Sequence, residues 1–132
     1  MEAAATQRPL VLVYMCDSVY AKILAKRLER EGAEVKVFGA IEDLLTRGTQ
    51  KLVSGVLLDV QCELSVEELV KSIKGSPVLH RAFRALYSEV LLPEEVKLIA
   101  HKEVAAVYVG SLQSAREIAE HFVEELKLLT AK

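Results

Sequence analysis

Two continuous apolar runs, Leu10-Val11-Leu12-Val13-Tyr14-Met15 and Gly55-Val56-Leu57-Leu58-Asp59-Val60, stand out along the chain. Each is short, rich in Val and Leu, and bounded by turn residues, which predicts strands buried on both faces. The second run is broken by one carboxylate, Asp59. After the first run the period becomes helical: Tyr20, Ile23, Leu24 and Leu28 share a face, with Lys22, Lys26, Arg27 and Arg30 elsewhere. Asp17 or Ser18 caps that helix, because a short side-chain oxygen accepts from its free N–H groups. Gly32 follows its last turn. Glu34-Val35-Lys36-Val37-Phe38 reads as a strand with Val35 and Val37 on one face, and its charges suit a sheet edge. Ile41 to Thr46 reads as a short helix with Leu44 and Leu45 inward, stopped by Gly48.

The second half repeats the alternation. Ser65-Val66-Glu67-Glu68 is a capping box that starts a helix with Val66, Leu69, Val70 and Ile73 buried, and Gly75-Ser76-Pro77 breaks it. Ala82 to Ser88 reads as a fourth strand, with Arg84 near its entry end where the guanidinium can reach water. Pro93 at a first helical position, followed by Glu94 and Glu95, starts a helix through Lys102. Ala105 to Val109 is the fifth strand, closed by Gly110. A last helix runs from Ser111 or Ser114 to Leu129, with Ala115, Ile118, Ala119, Phe122, Leu126 and Leu129 as its stripe. Five strands alternating with five helices predict a single doubly wound (βα)5 domain over residues 9–132, preceded by a flexible tail over 1–8. Right-handed crossovers leave few windings. The flavodoxin-like parallel order 2-1-3-4-5 puts the crevice between strands 1 and 3, with Cys16, Asp17, Asp59 and Cys62 around one mouth.

Composition narrows the function. The 132 residues fit one core, and a hydrophobic share of 52% is too high for a disordered chain. A net charge of −2 provides no basic field for nucleic acid. No apolar run approaches the roughly 20 residues of a membrane span, and the N-terminus does not read as a secretory signal. Two cysteines without metal spacing point to a reducing, cytoplasmic setting, and small buried thiols are the ordinary reading for both. Cys16 and Cys62 follow neighbouring strands, which leaves a redox pair or a thiol-linked ligand as the sharper alternative. His80, His101 and His121 are spread over a loop and two helices, without metal spacing. No histidine stands poised beside Ser88 for nucleophilic chemistry, and the first strand is followed by Cys16-Asp17-Ser18, not by a glycine-rich phosphate loop. The chain therefore reads as a non-enzyme.

The first strand, Gly32 after the first helix, Asp59 ending the third strand, Ser76-Pro77-Val78-Leu79-His80-Arg81 leading into the fourth and Ser88 at its end form one pattern. In it, residues 9–129 resemble a response-regulator receiver domain of two-component signal transduction. The resemblance implies a phosphoacceptor aspartate, a hydroxyl after the fourth strand, two acids for Mg²⁺ after the first, and a lysine after the fifth. A cation and a fixed positive charge are needed because negative oxygens crowd onto a carboxylate. Asp59 falls on the acceptor and Ser88 on the hydroxyl. The acid positions fall on Met15 and Cys16, neither an oxygen ligand, with Asp17 one residue further on. Gly110 stands at the lysine and Ser111 at the proline that usually follows. The aromatic switch position falls on Val107, and Tyr108, one residue off, points to the other face.

The resemblance thus implies a degenerate receiver, or pseudo-receiver, without cofactor. It would act as an interaction module for another signalling protein or a neighbouring domain, with no nucleic acid or membrane partner. Receiver domains pair through the fourth helix, fifth strand and fifth helix. In this chain that face includes Leu98, Lys102, Tyr108, Arg116 and Glu120, and would serve a homodimer. The alternative is a phosphorylatable receiver that uses Asp59, with Asp17 and Asp59 on Mg²⁺. A third reading is a small-molecule sensor built on the open crevice.

Overall fold

A computed structural model describes residues 8–48, 52–62 and 64–130. Most of the tail expected over residues 1–8 lies outside the described residues. The strands are β1 (Leu10–Tyr14), β2 (Glu34–Phe38), β3 (Gly55–Asp59), β4 (Phe83–Ser88) and β5 (Ala106–Val109). The helices are α1 (Ser18–Arg30), α2 (Ile41–Gly48), α3 (Val66–Lys74), α4 (Pro77–Arg81), α5 (Glu94–Glu103) and α6 (Ala115–Thr130). All strand pairs are parallel, in the order β2-β1-β3-β4-β5. The expected doubly wound, flavodoxin-like sheet is therefore the observed one, with a core on each face.

Alternation along the central strands explains why their sequences are apolar throughout. Val11 and Val13 of β1, Leu57 of β3 and Phe83, Ala85 and Tyr87 of β4 pack under α1 and α6. Leu10, Leu12, Tyr14, Val56, Leu58 and Leu86 face the opposite core, with α2, α3 and α4 contributing Leu44, Leu69 and Leu79. The α1–α6 layer lies close on the sheet because Gly55 has no side chain. A Cβ there would stand 2.8 Å from the Phe122 ring and 3.1 Å from Leu126.

The helix signals act as their chemistry predicts. The Asp17 carboxylate accepts from Val19 N and Tyr20 N at 3.1 and 3.0 Å, so it caps α1. Ser65 and Glu68 form the capping box of α3. Ser114, not Ser111, starts α6: its hydroxyl accepts from Glu117 N, and the Glu117 carboxylate accepts from Ser114 N. Gly32 has φ +104°, the left-handed conformation that ends a helix without a Cβ penalty.

Several local expectations are corrected. Residues 77–81, expected as a lead-in loop, form the helical turn α4, capped by Ser76, so there are six helices among the described residues. His80 accordingly sits on a helix. Pro93 occupies the cap of α5, one residue before the first helical position. Ile23, Val37 and Leu129 are exposed: α1 and α6 turn these positions past the edge of the sheet, and β2 is an edge strand. Val123, not in the expected stripe, is buried in its place. Arg84 does lie near the entry end of β4, where its guanidinium bonds the His80 carbonyl. Among the described residues, no helix is long and apolar enough to cross a membrane.

Candidate functional site

The carboxyl ends of β1, β3 and β4 and the start of the loop after β5 open into one crevice of about 600 Å³. Met15, Cys16 and Asp17 line it from the end of β1, and Asp59 and Gln61 from the end of β3. Tyr87 and Glu89 from β4, Gly110 and Ser111 from β5, and Tyr20 from α1 complete it. Topology alone dictates this gathering, since parallel strands deliver all their carboxyl ends to one side.

Asp59 is the buried acid of the crevice, 6% exposed. Its carboxylate accepts from Gln61 N at 2.9 Å. Burial pushes its pKa up from the ordinary aspartate value, and the Asp17 and Glu89 charges add to the rise. The backbone N–H groups of Gln61 and Cys16 oppose it. Gln61 also reaches across the crevice, where its side-chain oxygen accepts from Glu89 N at 2.7 Å. Thus the loop after β3 is tied directly to the loop after β4.

The cysteines are not separate thiols. Cys16 and Cys62 form a disulfide with Cα atoms 5.7 Å apart, joining the β1–α1 loop to the β3–α3 loop. This corrects the reading of small buried thiols, since Cys16 is exposed and Cys62 half-buried. Both are oxidised here, so the inference of a reducing compartment from their spacing loses its basis.

Gly110 and Tyr87 form the second departure. A Cβ on Gly110 would stand 2.1 Å from the Tyr87 hydroxyl and 2.8 Å from its Cζ. The ring of Tyr87 therefore occupies the space into which any side chain at position 110 would grow. Tyr87 is buried and stacked on Tyr20, with ring centroids 5.1 Å apart. Burial raises the pKa of both phenols. The Tyr20 hydroxyl is buried beside that of Tyr87.

The remaining predicted site residues separate. Ser88 is 1% exposed and donates to the Val90 carbonyl at 2.6 Å, and it does not line the crevice. Tyr108 does face away from Val107, but it is 2% exposed, packs on Phe122 and shares a 2.8 Å hydrogen bond with His121 Nδ1. It therefore drops out of the expected interaction face, because that side of β5 is covered by α6. Leu98 and Lys102 are exposed on α5, and Arg116 and Glu120 are exposed on α6, paired at 3.1 Å.

A Mg²⁺ site of the receiver type does not fit these residues. Met15 contributes a thioether, Cys16 a disulfide sulfur, and the Asp17 carboxylate is engaged in capping α1. A hard cation prefers oxygen ligands. Among the described residues, no group of three or more His, Cys, Asp or Glu side chains is arranged to hold a metal. Among the described residues, the crevice lining holds three carboxylates and no Lys, Arg or His.

Sequence reasoning missed Tyr20, Tyr87, Gln61 and Glu89 as crevice residues. The usable signal was Gly110: a position that loses its side chain at a crevice leaves a volume that a neighbour on the adjacent strand must fill.

No protein-family model matches the sequence, and none of the curated proteins is detectably similar to it. Solved structures are similar over nearly the whole chain. The signal receiver domain of a putative LuxO repressor protein from Vibrio parahaemolyticus superposes with a TM-score of 0.79 at 13% identity, covering 95% of each chain. A CheY-like response-regulator receiver domain from Methanospirillum hungatei gives 0.75 at 18% identity, covering 92% of this chain and 95% of that one. The receiver domain of a sensor histidine kinase from Pseudomonas aeruginosa, with a magnesium ion coordinated in its active-site cleft, gives 0.75 at 11% identity. It is covered over its full length, against 96% of this chain. At these identities the likeness establishes the receiver fold.

Proposed function

We propose that this chain is an atypical receiver domain that does not take a phosphoryl group and acts in signalling as a protein-interaction module. The observation that carries this reading is the packing of the Tyr87 hydroxyl against Gly110, in the space where a receiver's lysine would begin. A phosphoryl group on Asp59 would add charge beside Asp17 and Glu89, with no cation among the described lining residues to offset it. The disulfide at Cys16 removes a metal-ligand position from the same mouth. What the fold then offers is surface. Val90 and Leu91 on the loop after β4, Leu98 on α5 and Leu112 after β5 are all exposed apolar side chains. Their partner would be another signalling protein, a neighbouring domain or a second copy of the chain.

The test is an amide NMR titration with Mg²⁺ and then beryllofluoride, a phosphoryl mimic, followed by sedimentation over a concentration series. The reading expects no saturable shift at Asp59, Val60 or Ser88. Saturable shifts there, abolished in Asp59→Asn, would establish a working phosphoacceptor and overturn it.

A further inference from the structure

A disulfide that ties Cys16 in the crevice lining to Cys62 on the loop after β3 is chemistry the phosphoryl reading leaves unused. We propose that the Cys16–Cys62 pair is the chemical input of this domain: a reversible dithiol–disulfide site whose reduction by a dithiol reductant alters the loop after β4. The proposal deepens the function given above and rests on it, since it puts thiol exchange where phosphoryl transfer would otherwise act.

Three features carry it. The first is access. Cys16 is exposed and lines the open crevice, so an attacking thiolate has room to approach its sulfur. The second is a hinge-free geometry. The two Cα atoms are 5.7 Å apart, within the ordinary range for a bridge, and the ends of β1 and β3 beside it have hydrogen bonds of their own. Met15 N donates to the Phe38 carbonyl and Val60 N to the Tyr87 carbonyl. The bond can therefore open and close while the sheet stays intact. The third is a contiguous route outward. Gln61, adjacent to Cys62, accepts from Glu89 N through its side chain and donates from its own N–H to Asp59. Glu89 leads directly into exposed Val90 and Leu91. Releasing Cys62 loosens the turn that positions Gln61, and with it the tether on Glu89.

The exchange balances without any further reagent. A thiolate of the reductant bonds to Cys16 Sγ. The Cys16–Cys62 bond breaks, its electron pair leaves on the Cys62 sulfur, and that sulfur takes up a proton. The reductant's second thiolate then attacks its own sulfur in the mixed disulfide and releases Cys16, which is protonated in turn. Two electrons and two protons reach the protein, and the reductant is left as a disulfide.

The experiment uses the folded chain and dithiothreitol as the probe. Maleimide labelling of the denatured, air-oxidised protein counts free thiols, and amide NMR follows the native protein through a dithiothreitol titration. The expected result is no labelling before reduction and two labels after it. Amide shifts are expected at Gln61, Glu89, Val90 and Leu91 that exceed those at equally distant residues of α6, and reoxidation reverses them. The Cys16→Ser/Cys62→Ser double variant should show the reduced spectrum with or without reductant. Free thiols in the oxidised sample overturn the proposal, as does a bond that reduces only after denaturation. Shifts confined to residues beside the cysteines overturn it too. Beryllofluoride binding by either redox form would instead sink the function proposed above, a result distinguishable from these because it is read without changing the thiols.

Discussion

The contact between Tyr87 and Gly110 makes a quantitative prediction about Gly110→Ala. Gly110 does not adopt a positive φ, so alanine there carries no backbone strain, and the effect isolates the steric term. The added methyl would lie 2.1 Å from the Tyr87 oxygen, and the ring must move by more than an ångström to restore a normal contact. Its route is into the crevice, which takes it off Tyr20 and exposes buried ring surface. Losing the stack costs about 0.5–1.5 kcal/mol. Exposing some 50 Å² of ring costs about 1.3 kcal/mol more. Alanine's smaller unfolded-state entropy returns about 0.4–1 kcal/mol. The net is a loss of about 1.5 kcal/mol, or roughly 5 °C in Tm for a chain of this size. Urea unfolding followed by circular dichroism, under non-reducing conditions throughout, measures it. Tyr87→Leu removes the clashing atoms while keeping the position apolar, and in that background Gly110→Ala should be neutral or slightly stabilising. The entropy return acts in both backgrounds and cancels, so a coupling of about 2.3 kcal/mol, the stacking and exposure costs together, is expected in the double-mutant cycle. If Gly110→Ala costs the same in both backgrounds, Tyr87 does not occupy that space and position 110 is open to a side chain.

Three further outcomes follow from the same site. Burial holds the folded-state pKa of Asp59 above its unfolded value, so the stability linked to this proton is greatest below about pH 3.9 and is lost as pH rises through the folded pKa. Asp59→Asn, which keeps an acceptor for Gln61 N, should therefore be more stable than wild type at pH 7. That gain should vanish near pH 3.5, and equal urea midpoints at pH 7 would refute the assignment. Reducing the disulfide, whose cysteines are separated by 46 positions, should lower stability by about 4 kcal/mol on the chain-entropy account. A change below 1 kcal/mol by urea titration with and without dithiothreitol would contradict it. Asp17→Ala should cost about 1 kcal/mol through loss of the α1 cap. A variant as stable as wild type by thermal unfolding would show that this carboxylate is free for another task.

The fold was legible because two-sided burial leaves a strong mark on sequence. Leu10 to Tyr14 and Gly55 to Leu58 feed alternate side chains to two cores, so neither run could contain a polar residue. Capping chemistry was equally readable at Asp17, Ser65 and Ser114, because one short side chain bonding a nearby N–H is a local event. The misses arose where local patterns end and neighbours decide. A single turn such as α4 is too short to show a helical period, although Ser76-Pro77 carries a cap and a first-turn proline. Period also names a helix face without saying how far the sheet extends beneath it, and so Ile23 and Leu129 were expected inside.

The site was legible in position but not in packing. Topology alone brought Cys16, Asp17 and Asp59 to one mouth, since parallel strands share an end. The sequence departs from the receiver pattern there at Met15, Cys16 and Gly110, and read along the chain these look like separate losses. In space they are linked. Tyr87 stands where a side chain at position 110 would be, so glycine at 110 is a packing requirement of this crevice. Cys16 stands at an acid position because Cys62 on the loop after Asp59 is its partner, and an acid there would leave that loop without its cross-link. Reversing the change at Cys16 or at Gly110 therefore disrupts an existing contact. Restoring a lysine displaces Tyr87 from Tyr20, and restoring an acid opens the bridge beside Gln61. The Tyr87 ring occupies the space beside Gly110 and the disulfide occupies Cys16, so a lysine at 110 or an acid at 16 would each displace a contact already made.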